Sequence, residues 1–199
     1  MPGRLHFSTS PPHFAELLVA LLVCALLLLM WAPSAGAAMV VDRCGLEVPD
    51  GETAFLVGDL DCTGTGVEGV VLGHRSRLLL SGFSLVADPT EEGGRQGVRC
   101  RTGTVCSVIG PGAIVGFAAS GVAGTRVRLR DVFLAGNGRN GVAAFENVVL
   151  RGVEIGENGG LSVHAGGRVR IRRSRVAGLD RGAVVAEHAP PYRPHCAEN

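Results

Sequence analysis

The chain has 199 residues and a formal net charge of +1, which conceals a split: residues 42–95 carry 4 Arg against 10 Asp and Glu, whereas residues 121–185 carry 11 Arg against 5. With 30 Gly, no Lys and few aromatics, the composition excludes a helical bundle rich in Leu, Lys and Glu. A hydrophobic content of 46% excludes a disordered chain.

Residues 17–32 form an apolar run, LLVALLVCALLLLMWA, preceded by Arg4 and followed by Ala35-Gly36-Ala37. A charged start, an apolar core and a small-residue A-x-A exit are the three parts of a secretory signal peptide, so 1–38 reads as a leader cut after Ala37 or Ala38. The competing reading is a retained anchor, but the run falls short of the roughly 20 residues a spanning helix needs. Export would carry away Trp31, leaving Tyr192 and five Phe, which is few aromatic platforms for a neutral sugar. It would also place Cys44, Cys62, Cys100, Cys106 and Cys196 where disulfides persist. Connectivity cannot be fixed from sequence. The preferred pairs are Cys44–Cys62 and Cys100–Cys106, because each brackets a short loop; the alternative is small buried thiols.

A repeat organises the rest of the chain. Val70, Val98, Val122, Val142, Val163 and Val184 each follow Gly or a small residue, and the last three intervals are 20, 21 and 21. Val127, Leu129, Val132 and Leu134 recur as Val148, Leu150, Val153 and Ile155, and again as Val169, Ile171, Ser174 and Val176. Self-similarity at this period marks a solenoid. Val127-Arg128-Leu129-Arg130 alternates as a strand does, Asp131 breaks the alternation, and Gly136-Asn137-Gly138-Arg139-Asn140 is a dense turn signal. Each repeat therefore holds two or three short strands and no helix, as a parallel β-helix requires. The expected organisation is a cap over 39–66, which charges and covers an open coil, a β-helix of about six short coils over 67–186, and a disordered Pro-rich tail over 187–199.

The segment Leu56-Val57-Gly58-Asp59-Leu60-Asp61-Cys62-Thr63-Gly64 resembles the opening of secreted bacterial right-handed parallel β-helix proteins of the pectate-lyase-like superfamily. The resemblance runs from about Cys44 to Val185, and it implies an all-β, single-stranded, right-handed parallel β-helix. It departs at Leu79, Ser81 and Phe83, where the family places polar residues. Enzymes of that superfamily act on acidic polysaccharides, and their lyases hold Ca²⁺ in a carboxylate cluster. Here no coil position stacks two carboxylates: Asp131 aligns with Gly152 and Arg173, and Glu154 with Phe133 and Arg175. Asp59 and Asp61 lie two apart, but within the cap.

Arginine is arranged otherwise. Arg130, Arg151 and Arg172 share one position in three consecutive coils, with Arg128 and Arg170 two residues earlier on the same outward face. Such a ladder suits an extended polyanion held by bidentate contacts. It is also what a solvated face looks like in a chain that uses Arg where others use Lys. Asn137 and Asn158 share a position as well and read as a stacked structural pair. The turn glycines Gly136, Gly138, Gly159 and Gly160 read as positive-φ positions. No His, Cys or carboxylate shares the repeat position of His74 or His164, so no metal is expected, and no cofactor, unless Ca²⁺ under the lyase alternative. The expected function is a secreted, extracellular or periplasmic, non-catalytic module that binds an acidic glycan or an acidic protein surface, or is structural. The alternative is a polysaccharide lyase or glycoside hydrolase. Nucleic acid is not expected, since the outward face lacks aromatics to stack bases, nor is a membrane once the leader is cut.

Overall fold

A computed structural model describes residues 38–91, 93, 95–177 and 184–186. The leader and the tail expected at the two termini lie outside the described residues. The chain enters with β1 (Met39–Val41), β2 (Leu46–Val48), β3 (Thr53–Leu56), β4 (Leu60–Asp61), β5 (Val70–Leu72), β6 (Arg77–Leu79) and β7 (Ser84–Val86). It continues through β8 (Val98–Cys100), β9 (Val105–Ile109), β10 (Ala113–Val115), β11 (Val122–Gly124), β12 (Arg126–Arg130), β13 (Phe133–Ala135) and β14 (Val142–Ala144). The last described strands are β15 (Val148–Arg151), β16 (Glu154–Gly156), β17 (Val163–Ala165), β18 (Val169–Arg172), β19 (Arg175–Val176) and β20 (Val184–Ala186).

Every strand pairing is parallel, and the strands sort into three sheets ordered β1-β3-β6-β9-β12-β15-β18, β4-β7-β10-β13-β16-β19 and β2-β5-β8-β11-β14-β17-β20. From β3 onward each turn of chain visits the three sheets once in the same order, which makes a parallel β-solenoid of about six coils. The described residues contain no helix. Residues 39–66 supply β1–β4, and these pair in register with the next coils.

Stacked apolar columns hold the coils together. One runs Leu78, Val108, Leu129, Leu150 down the first sheet. A second runs Leu85, Ile114, Leu134, Ile155 down the next. The third is the valine series Val70, Val98, Val122, Val142, Val163. All of these side chains are buried. No single coil has enough apolar surface to bury on its own, so stability accrues between neighbours. Irregular early spacings do not disturb the columns. The 28-residue interval from Val70 to Val98 places most of its extra residues in the connection after β7 and the rest between β6 and β7, outside the strands.

Two features explain where the alternation breaks. Asp131, Gly152 and Arg173 occupy the same corner on successive coils, with φ of 55°, 64° and 50°. A left-handed residue is needed at this corner to turn the chain between sheets, and it leaves Asp131 and Arg173 pointing away from the core. The turn glycines have two separate causes. Gly136 has the expected positive φ, 64°. Gly138, Gly159 and Gly160 do not, which corrects the expectation for them. They are glycine because neighbouring coils pass too close for a side chain. A Cβ on Gly138 would sit 2.5 Å from the Ala118 carbonyl oxygen, and one on Gly160 would sit 2.8 Å from Asn140 Oδ1.

Candidate functional site

The first sheet turns alternate side chains outward. In β12, Val127 and Leu129 are buried while Arg128 and Arg130 are exposed, and in β18 Arg170 and Arg172 are exposed. Register pairs Arg130 with Arg151 and Arg151 with Arg172. Adjacent strands lie about 4.8 Å apart, so three guanidinium groups project within about 10 Å of axis. The second column is interrupted: Arg128 and Arg170 flank Val149, which is half-buried. The five candidate arginines therefore form a continuous ladder of three, with a pair beside it separated by one apolar rung.

The acid near this face is sparse and lies at its margins. Arg126 pairs with Glu146 at 3.2 Å, and Arg175 with Glu154 at 3.7 Å. Within the ladder, among the described residues, only Arg130 has a carboxylate nearby, Asp131 Oδ2 at 3.7 Å, which is a long exposed contact. No ion pair joins Arg128, Arg151, Arg170 or Arg172 to a carboxylate among the described residues. Unit charges about 5 Å apart in water repel by about 1 kcal/mol, and salt screens this. Nothing in the fold demands such a stack, since any polar residue satisfies an outward strand position.

The surface beneath these side chains is shaped. A shallow depression of about 330 Å³ lies over the start of the sheet, lined by Arg126, Arg128, Asn147, Val149, Arg168 and Arg170. A second, of about 260 Å³, lies at its exit corner between Arg130, Asp131, Arg151, Gly152 and Arg173. Gly152 opens the second one, because a side chain there would collide with the Asp131 carboxylate. Arg168 and Arg173 line these depressions; the repeat aligns them with Asn147 and Gly152, so they flank the ladder and are not rungs of it.

The two acidic candidates of the entry segment are engaged with the backbone. Asp59 Oδ1 accepts the Ser84 N–H at 2.8 Å, and Asp61 Oδ1 accepts the Thr63 N–H at 2.9 Å. The Thr63 N–H, and then its hydroxyl, hold the Asp61 carboxyl below the ordinary carboxylate range. Asp131 faces Gly152 and Arg173, and Glu154 faces Phe133 and Arg175, so adjacent coils bring no two carboxylates into register there. Among the described residues no group of three or more His, Cys, Asp and Glu is placed to hold a metal ion.

The asparagines form a buried ladder. Asn137 Oδ1 accepts the Phe117 N–H at 3.1 Å, and Asn158 Oδ1 accepts both the Asn137 N–H at 3.2 Å and Asn137 Nδ2 at 2.9 Å. Cys44–Cys62 and Cys100–Cys106 lie at disulfide distance, with Cα separations of 5.7 and 6.0 Å. Such pairs persist in an oxidising compartment. Among the described residues no helix is long and apolar enough to cross a membrane.

One surface feature leaves almost no trace in the sequence. Phe145 is 78% exposed at the margin of the third sheet. It borders a groove of about 330 Å³ floored by Ala123 and Ala143, away from the Arg face. The only signal for it is an aromatic beside a position where the next coil has Gly166. No protein-family model matches this chain, and no curated protein or solved structure matches it significantly.

Proposed function

We propose that this protein is an exported, non-catalytic β-helix module that holds an acidic glycan along the outer face of its first sheet. The observation that carries the reading is the in-register stack of Arg130, Arg151 and Arg172 with one long carboxylate contact among three cations. A rigid sheet fixes the spacing, so binding an extended polyanion relieves repulsion without ordering a loop. Guanidinium forks match carboxylate and sulfate oxygens, which is why Arg suits this role better than Lys. The disulfide pairs and the leader-like N-terminus support export. Right-handed winding and kinship to the pectate-lyase-like superfamily rest on the resemblance of residues 56–64. The lyase or hydrolase alternative has less behind it, because the candidate carboxylates cap backbone amides or face arginine.

Affinity electrophoresis tests the proposal. Native gels containing polygalacturonate, a sulfated glycan or a neutral glucan would be run with and without Ca²⁺ and stained for polysaccharide. Retardation in the acidic gels alone, abolished by salt, is the expected result. Equal mobility in every gel would refute glycan binding, and a cleared zone around the band would show an enzyme instead.

A further inference from the structure

The three inward columns run the whole length of the described solenoid and keep apolar residues at both of its ends. The first column begins at Met39, passes through Ala54 and Leu78, and finishes at Ile171. The second begins at Leu60 and finishes at Val176. The third begins at Leu46 and finishes at Val184. Mid-column residues such as Leu134 and Leu150 are fully buried, whereas Met39, Leu46, Leu60, Ile171 and Val176 are only partly buried and Val184 is 38% exposed. A repeat protein ordinarily finishes with polar capping repeats, yet here the inward columns keep apolar residues up to the last described strands. Among the described residues the sheets end in β1, β2 and β4 at one end and in β18, β19 and β20 at the other. All strands are parallel, so the two ends present edges of the same polarity.

Charge distinguishes the ends. Residues 42–61 carry six Asp and Glu against the single Arg43, while residues 161–177 carry Arg168, Arg170, Arg172, Arg173 and Arg175 with no Asp or Glu. Those five arginines are all exposed, as are Asp42, Glu47, Asp50, Asp59 and Asp61. Residues 42–61 thus carry −5 and residues 161–177 carry +5, on an axis whose described columns remain apolar at both ends.

We infer that copies of this chain stack head to tail, the basic last coil of one on the acidic first coil of the next. Ile171, Val176 and Val184 then continue into Met39, Leu60 and Leu46 of the following copy, and the parallel sheets run on. The contact is heterologous, since the two surfaces differ, so it propagates into a linear assembly and does not stop at a dimer. Opposite charge fixes the polarity of stacking, because like ends repel. This does not depend on glycan binding: the acidic end takes no part in the Arg ladder.

The test uses full-length chain in sedimentation velocity. One variant reverses the basic end, Arg168→Glu with Arg173→Glu and Arg175→Glu, taking it from +5 to −1, and a second reverses the acidic end, Asp42→Arg with Glu47→Arg and Glu52→Arg, taking it from −5 to +1. Circular dichroism and thermal melts establish that each variant keeps the wild-type fold. Wild type should form a ladder of species that grows with concentration and collapses at ~1 M salt, where the Debye length is about 3 Å. Each variant alone should sediment as a monomer, because both of its ends now share a sign. Mixed in equal amounts the two should assemble again, since every junction pairs opposite charges. Association through the apolar run at residues 17–32 is indifferent to these charges. Wild type monomeric at all concentrations, variants that associate as wild type does, or a mixture that stays monomeric would each overturn the inference.

Discussion

Replacing Asn158 by Ala should cost more than its small volume suggests. Asn158 is buried, and its Oδ1 is the acceptor for two donors of Asn137, the backbone N–H at 3.2 Å and Nδ2 at 2.9 Å. Nδ2 keeps only a long contact to the Ile114 carbonyl, 3.5 Å. Each buried donor left without a partner costs about 1–3 kcal/mol, so the substitution should remove about 2–4 kcal/mol. With a urea m-value of about 1–3 kcal/mol per molar, the midpoint should fall by roughly 1–2 M. Asn158 Nδ2 itself has no partner among the described residues, so deleting it relieves an existing penalty and places the net loss at the lower end of this range, about 2 kcal/mol. A cycle with Asn137→Ala sharpens the test. Once Asn137 Nδ2 is gone, the loss at 158 should shrink, so the double variant should be less destabilised than the sum of the singles. Urea denaturation followed by far-ultraviolet circular dichroism reads all four proteins. A loss under about 0.5 kcal/mol for Asn158→Ala, or strict additivity, would refute the view that this ladder satisfies buried amides.

The same packing has other consequences. Gly141→Ala should destabilise by about 1–3 kcal/mol through overpacking, because its new Cβ would lie 2.7 Å from the Ser162 carbonyl oxygen and near Ile155; thermal melts would show it. Loop entropy predicts about 3 kcal/mol lost on removing Cys44–Cys62 and about 2 on removing Cys100–Cys106, from sequence separations of 18 and 6. Paired Cys→Ser variants compared in urea would give that order. Asp61 has its pKa lowered in the folded state, so its stabilising contribution is present above the unfolded carboxylate pKa and is lost as pH falls through the folded value. Asp61→Asn should therefore flatten the acid limb of the stability curve while leaving Arg-face binding intact.

The legibility of this fold came from its stacking. Inward positions repeat because each side chain rests on the same position of the next coil, so the valine series read from the sequence is the register of the third sheet. The same register places Arg130, Arg151 and Arg172 on one line. Corners were opaque for a physical reason. A left-handed residue is required at the Asp131, Gly152 and Arg173 corner, but only the backbone angle is selected, so the three residues share no chemistry and leave no pattern. Gly138, Gly159 and Gly160 depart from the positive-φ expectation because glycine answers both a positive φ and a close approach, and sequence does not separate the two. The pairing of β1 and β2 with later coils was hidden too, since the early intervals are unequal and the segment is dense in acid.

The most direct test of the Arg face is the salt dependence of polygalacturonate binding by wild type and by the triple variant Arg130→Gln, Arg151→Gln, Arg172→Gln. Three exposed ion contacts of about 0.5–1 kcal/mol each amount to a loss of tenfold or more. Titration calorimetry at low and high ionic strength should show tight, salt-sensitive binding by wild type. The variant, with an unchanged melting profile, should bind at least tenfold more weakly and with a shallower salt slope. Equal affinity and equal slope for the two proteins would contradict the account and leave the ladder as a solvated face of the solenoid.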